Sequence, residues 1–368
     1  MKIRKLHIKN CKIFQNLDLD FTDNGNTQNF IVIAGINGSG KTTLLKDVIY
    51  RTFQNMAMIS EALCHTDDIF DNIHIEVEYR GKDGVRIFQT GPDMLKSDFP
   101  EDSIKFLFPK LKHVIFYEAG NPDTKTAKES IVRFVDSLIY EKNKRSSEAY
   151  SVTQDILNSI FQDFDLQIEF KGLDRKREVL FRNPRAEKIK TEELSGGEQE
   201  LITKAFSLYL AEVRDSIILI DEPESSLHPN WQNRIAQIYQ NFADKNNSQV
   251  ILATHSPHIV SSVPKEQIRV LAKEENMIRV IKDFSGSYGW RADKVLLEIF
   301  RIKELRTPVV EEKLDNLRNM IFADEYETAE FRQLQSELEK LIGYDDTDLV
   351  LARMEAAKRR ISENEKNK

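Results

Sequence analysis

The stretch Gly35-Ile36-Asn37-Gly38-Ser39-Gly40-Lys41-Thr42 constrains this chain more than any other. It follows the apolar run NFIVIA and precedes TTLLKDVIYRTF, whose apolar residues recur at helical spacing. The reading is therefore strand, glycine loop, helix, the order a phosphate loop requires. Glycines let backbone N–H groups turn inward around a phosphate with no Cβ in the way. The helix that follows adds about half a positive charge at its start. On this pattern Lys41 reaches the β- and γ-phosphates of a nucleoside triphosphate and Thr42 offers its hydroxyl to Mg²⁺. Asn37, Gly38, Ser39, Gly40 and Thr43 complete the candidate phosphate contacts.

A second apolar run, SIILIDEPE, sets Asp221 and Glu222 at the end of a strand with no polar face. Parallel sheets deliver such strand ends to a nucleotide edge. Asp221 is the candidate Mg²⁺ partner, and Glu222 the candidate general base for an attacking water. Taken alone, the pair reads equally as two exposed carboxylates; beside a phosphate loop it does not. His255 closes a further apolar strand, QVILATHS.

At 368 residues the chain exceeds the usual domain of about 100 to 200 residues, so one nucleotide-binding head with insertions is expected. A formal net charge of −7 excludes nucleic-acid binding through a global basic field, although local clusters remain at Lys142, Lys144 and Arg145 and at Arg175, Lys176 and Arg177. Cys11 and Cys64 have neither zinc nor C-x-x-C spacing and read as small core residues in a reducing compartment. No stretch approaches the roughly 18 to 20 apolar residues of a membrane helix, so a cytoplasmic protein with no membrane partner is expected. IRKLHIKN and NLDLDF alternate as two paired strands. IHIEVEYRGKDGVRIFQT reads as a hairpin turning at Lys82, Asp83 and Gly84, and LQIEFKG with EVLFRN as another. KHVIFYEAG is a short apolar strand, SVTQDILNSIFQDF a helix. Only about 150 residues separate Lys41 from Ser195, too few for a long coiled-coil arm. The expected organisation is a head formed by 1–50 and 191–289, an insertion over 51–190 with hairpins and a helical lid, and a helical extension over 290–368. VVEEKLDNLRNMI and AEFRQLQSELEKLI supply two helices of that extension.

The motif LSGGEQ, residues 194 to 199, stands ahead of LIDEPESSLHPNWQ and ATHSPHIV. With IRKLHIKNCKIFQNLDLDF and GINGSGKTT, these resemble the RecF, OLD and SMC branch of ABC-type ATPases, and the phrase from Glu224 to Gln232 is especially similar to the OLD and RecF side. The resemblance implies an α/β fold: an ABC-ATPase head with a mixed sheet around a phosphate-loop core, an antiparallel β subdomain and a helical lid. It implies ATP and Mg²⁺ as ligands. Ser195, Gly196, Gly197 and Gln199 would then contact nucleotide held by an opposite protomer, giving a homodimer that sandwiches ATP, with a higher oligomer as a further option. His255 resembles the switch histidine at the γ-phosphate. The superfamily's lid glutamine has two candidates, Glu118 and Gln89. The tail SYGWRADKVLLEIFRIKELR is similar to ATPases of bacterial antiphage modules such as Septu, which implies a separate effector, a nuclease in phage defence. A RecF-like DNA clamp and an ATP-sensing module without turnover are the alternatives; a transporter subunit is disfavoured by the phrase after Glu222.

Overall fold

In a computed structural model that describes residues 1–61, 72–81, 84–90, 113–117, 127–163, 166–184, 186–210, 214–225, 227–275, 277–281 and 283–366, fifteen strands are formed among the described residues. They are β1 (Lys2–Cys11), β2 (Phe14–Asp20), β3 (Thr22–Asp23), β4 (Asn26–Thr27), β5 (Phe30–Ala34), β6 (Ile73–Gly81), β7 (Gly84–Thr90), β8 (Val114–Tyr117), β9 (Glu169–Leu173), β10 (Val179–Asn183), β11 (Ala186–Lys190), β12 (Ile217–Asp221), β13 (Gln249–Thr254), β14 (Ile268–Glu274) and β15 (Met277–Ile281). The central sheet has the order β15-β14-β5-β13-β12-β8 and is parallel except for β15. Every residue of β5, β12 and β13 is buried, which explains why these strands read as continuous apolar runs.

One face of that sheet shares a core with an antiparallel sheet of order β2-β1-β6-β7. Alternate residues of β1 and β6, among them Leu6, Ile8, Ile73 and Ile75, meet Ile31, Ile33, Leu219 and Ile251. The helix after the glycine loop, Thr43–Tyr50 in π-type winding continued as Arg51–Glu61, contributes Leu44, Leu45, Val48 and Phe53 to the same core. On the other face the helix Pro229–Lys245 packs on β5 and β13. The paired opening strands appear as expected, with Leu6 opposite Leu19 and Ile8 opposite Leu17. β6 and β7 form the first hairpin, although Lys82 and Asp83 lie outside the described residues. The second hairpin gains a third strand in the sheet β11-β10-β9. The helices Ala127–Asp136 and Ser146–Asp163 accompany this sheet, where Tyr150, Phe170 and Phe181 meet edge to face. Cys11 is buried as expected, and Cys64 lies outside the described residues.

By internal contacts the chain divides into Met1–Phe300 and Arg301–Lys368. The second unit comprises the two expected helices, Pro308–Phe322 and Ala329–Ile342, and a third, Thr347–Lys366. They share a core of Leu314, Leu317, Ile321, Phe331, Leu338 and Leu349. Among the described residues no helix is long and apolar enough to cross a membrane.

One buried amide fastens the two sheets. Gln249, fully buried at the start of β13, accepts from the Ile3 N–H at 2.7 Å and donates to the carbonyls of Ile3 at 2.8 Å and Gln28 at 3.1 Å. Gln249→Leu would leave those backbone groups buried without partners. The expected loss is roughly 2 to 4 kcal/mol of unfolding free energy, read by urea titration.

Candidate functional site

The parallel register sets Ala34 beside Thr254 and Asp221 beside Ala253, so β5, β13 and β12 end at one level. Two bonds extend the ladder past those ends: Gly35 N–H to Thr254 O at 3.3 Å, and Glu222 N–H to Ala253 O at 2.9 Å. The glycine loop, the Asp221-Glu222 pair and His255 therefore leave neighbouring strands side by side.

In the loop, Gly38 and Gly40 have φ of +79° and +87°, a region where only glycine is unstrained. Gly35 is tight for another reason: a Cβ there would stand 2.5 Å from the Leu271 carbonyl oxygen and 2.5 Å from Ser39 Oγ. Lys41 is buried and donates to the carbonyls of Gly35 at 2.8 Å and Ile36 at 3.0 Å. Burial pushes its ammonium pKa down, against the pull of Glu222, Asp221 and Glu224. Ser39 is fully buried, and its hydroxyl has no hydrogen-bond partner among the described residues. A buried hydroxyl at the centre of a glycine loop fits a phosphate oxygen as its missing partner. The Thr42 hydroxyl donates to Asp221 Oδ2 at 2.7 Å, which pairs an alcohol and a carboxylate, the hard oxygen donors that suit Mg²⁺.

Glu222 has φ +46°, unusual for a residue with a side chain. Its Oε1 lies 3.0 Å from Nδ1 of His255. A carboxylate accepts only, so this contact selects the histidine tautomer protonated at Nδ1.

Sequence reasoning passed over Glu224, which is only 4% exposed. Its Oε1 accepts from the Thr254 hydroxyl at 2.5 Å and from the His255 backbone N–H at 3.0 Å. Burial pushes its pKa up, and these two donors oppose that shift. Gln232 was likewise unassigned: its Oε1 accepts from the Ser256 hydroxyl at 2.6 Å, and its amide donates to Leu227 O at 2.9 Å. The only signal in the sequence was the second carboxylate of D-E-P-E, which spacing alone reads as solvated surface.

The SGGEQ segment opens the helix Gly196–Leu210 with a reciprocal cap, Ser195 N–H to Glu198 Oε2 at 2.6 Å and Glu198 N–H to Ser195 Oγ at 3.3 Å. Ser195 and Gly196 are exposed, whereas the Gln199 amide donates to Leu194 O at 2.9 Å within the protomer. Gly197 sits against an indole, since a Cβ there would meet Trp231 Cζ3 at 2.6 Å. Of the lid-glutamine candidates, Gln89 is on β7 and donates to Glu76 on β6 at 3.1 Å, in the antiparallel sheet, and Glu118 lies outside the described residues. In the basic clusters, Arg177 is paired with Asp136.

A family model described as "AAA domain, putative AbiEii toxin, Type IV TA system" matches residues 77–261, half of the chain. The "Retron Ec83 probable ATPase" of Escherichia coli is 32% identical over 148 residues, which cover 39% of this chain and 26% of that protein's length. The "Septu protein PtuA" of Bacillus thuringiensis is 23% identical over 83% of this chain and 86% of its own. Among solved structures, the SMC head domain from Thermotoga maritima aligns with a TM-score of 0.46 at 16% identity, covering 77% of this chain and all of that one.

Gly197→Ala tests the packing behind the exposed cap. The added methyl must displace the Trp231 ring, and overpacking of this kind costs about 1 to 3 kcal/mol. The expected result is lower stability together with an altered tryptophan emission, Trp231 being one of only two tryptophans in the chain.

Proposed function

The chain belongs to the family described as "AAA domain, putative AbiEii toxin, Type IV TA system", and on that premise we propose that it is an ABC-type ATPase whose two copies close around ATP. The observation that carries this reading is the convergence of Lys41, Thr42, Asp221, Glu222 and His255 on the shared ends of β5, β12 and β13.

In this reading the loop N–H groups and the Ser39 hydroxyl take the β- and γ-phosphates, and Lys41 exchanges two carbonyl partners for phosphate oxygens. That exchange is favourable because a charge-assisted hydrogen bond is stronger than a neutral one. Thr42 and Asp221 would hold Mg²⁺, which when bound neutralises charge on the phosphates. Glu222 takes a proton from the attacking water while the Nδ1–H of His255 orients the carboxylate; a bond from Nε2 to the γ-phosphate needs a proton on that nitrogen as well, as in the imidazolium. Asn37, Gly38, Gly40 and Thr43 line the same loop. Ser195, with the N–H groups of Gly196 and Gly197, offers an exposed helix N-terminus to the nucleotide of a second copy. The internal bond of Gln199 favours a role in shaping that helix start over contact with ATP.

The closed dimer is then a switch for a separate effector. The likeness to a Septu protein and a retron ATPase supports a role in phage defence, and a nuclease is the effector we propose for it. The clamp-like alternative would use the basic clusters, in which Arg177 is paired with Asp136. Copurification with the product of a neighbouring gene tests the effector; a chain fully active by itself would overturn that part.

The ATP site is tested by substitution. Lys41→Ala is expected to weaken ATP binding by roughly tenfold to a hundredfold or more, since hydrogen bonds from a charged group contribute about 1.5 to 3 kcal/mol; titration with a fluorescent ATP analogue measures it. Glu222→Gln is expected to bind ATP, accumulate as a dimer in native mass spectra, and hydrolyse about 10² to 10⁴ times more slowly. Ser195→Arg is expected to bind ATP as the native chain does yet neither dimerise nor turn over. Native turnover in Ser195→Arg would remove the composite site.

A further inference from the structure

We propose that Lys204 is a positioning residue that ties the helix opened by Ser195 to the turn carrying Glu222, so that contact at the helix start is felt at the hydrolytic carboxylate; this rests on the composite-site reading above. Lys204 lies on the helix Gly196–Leu210, nine residues after Ser195, or about 13 Å along a helix rising 1.5 Å per residue. Its Nζ donates to Pro223 O at 2.9 Å and to Ser225 O at 2.7 Å, and lies 3.2 Å from Glu200 Oε1. The side chain is only 14% exposed. Taking an ammonium out of water is costly unless it is fully partnered. Here two main-chain carbonyls of a single turn and one carboxylate of its own helix supply the partners. Burial pushes the Lys204 pKa down while Glu200 and Glu224 oppose the shift.

The gripped turn is the one that matters. Ser225 N–H donates to Glu222 O at 3.1 Å and Leu227 N–H to Glu224 O at 2.9 Å, closing the turn on itself. Lys204 holds the carbonyls of Pro223 and Ser225, while the Glu224 side chain anchors the same turn to Thr254 and His255. Glu222 sits between these anchors at φ +46°. A non-glycine residue stays in that region only when its surroundings over-determine it. Gly197 against Trp231 provides a second strut, since the adjacent Gln232 receives the hydroxyl of Ser256, the residue after His255.

The test uses the full chain with Lys204→Met, which keeps the apolar stem without the charge, and Lys204→Arg, which restores it. Amide hydrogen exchange over residues 222–227 and steady-state ATP hydrolysis are the readouts. In Lys204→Met, exchange over that segment is expected to quicken about tenfold or more while the start of the helix stays protected. KM should stay within about twofold and kcat should fall between about tenfold and a hundredfold, the scale of a small misplacement at a reacting group. Lys204→Arg should recover most of kcat, which a residue acting through general stability would not require. Native exchange over 222–227 in Lys204→Met overturns the clamp whatever the ATPase does, and faster exchange with unchanged kcat overturns the positioning role. Should Lys204→Met fail to fold, Lys204→Gln is read in the same way. A native chain without ATPase activity counts against the composite site instead, and the exchange comparison still decides the clamp.

Discussion

The candidate site depends on one pairing, the parallel insertion of β13 between β5 and β12. Parallel neighbours end at the same level, so a loop, a carboxylate pair and a histidine can be delivered together by backbone geometry alone. The ladder continues one bond beyond each strand, at Gly35 and at Glu222, so the groups nearest the chemistry remain on the rigid part of the molecule. Gln249, fully buried at the first position of β13, is the polar exception that fixes this strand against β1. A chain that mispaired β13 would lose the core and the site at once.

The site concentrates charge in a poorly solvated place. Lys41 and Glu224 are both desolvated, and each shifts toward its neutral form for that reason. Both remain supplied with partners: loop carbonyls for the ammonium, a hydroxyl and a backbone N–H for the carboxylate. Lys41 is satisfied by neutral carbonyl oxygens, which in the proposed reading a charged phosphate would outcompete. Ser39 is the complementary case, a fully buried hydroxyl in the same loop with no hydrogen-bond partner among the described residues.

Much of this was legible in the sequence for a simple reason: the apolar strands and the glycine loop are contiguous motifs with strict local geometry. FIVIA, IILID and QVILAT each read as buried strands, and every residue of each is buried. The partners that hold the site were not legible, because they depend on residues far apart in sequence. Nothing local marks Lys204 as facing Pro223 and Ser225, or Glu224 as turning inward to Thr254 rather than outward to water. The indole under Gly197 is likewise a tertiary fact, and it changes what a substitution at that glycine reports. Gln89 looked eligible as a lid residue because it ends an alternating strand; that strand pairs into the antiparallel sheet, where Glu76 takes its amide. The order of strands, with β13 central and β15 reversed at the edge, also follows from packing and not from the succession of motifs.

A switch operated across a subunit boundary needs an accessible contact, a stiff transmission and an element with two states. Ser195 and Gly196 are exposed at a capped helix start, the first requirement. The helix behind them is fixed to the 222–225 turn by a largely buried ammonium and braced by an indole, the second. The third is what we propose for Glu222, whose backbone is held in a region that costs on the order of 1 to 3 kcal/mol. Typical coupling free energies between sites lie in the same range, about 1 to 3 kcal/mol, equivalent to roughly 5- to 150-fold in an equilibrium. In the proposed switch, relaxing a single backbone conformation would supply a free energy of that size.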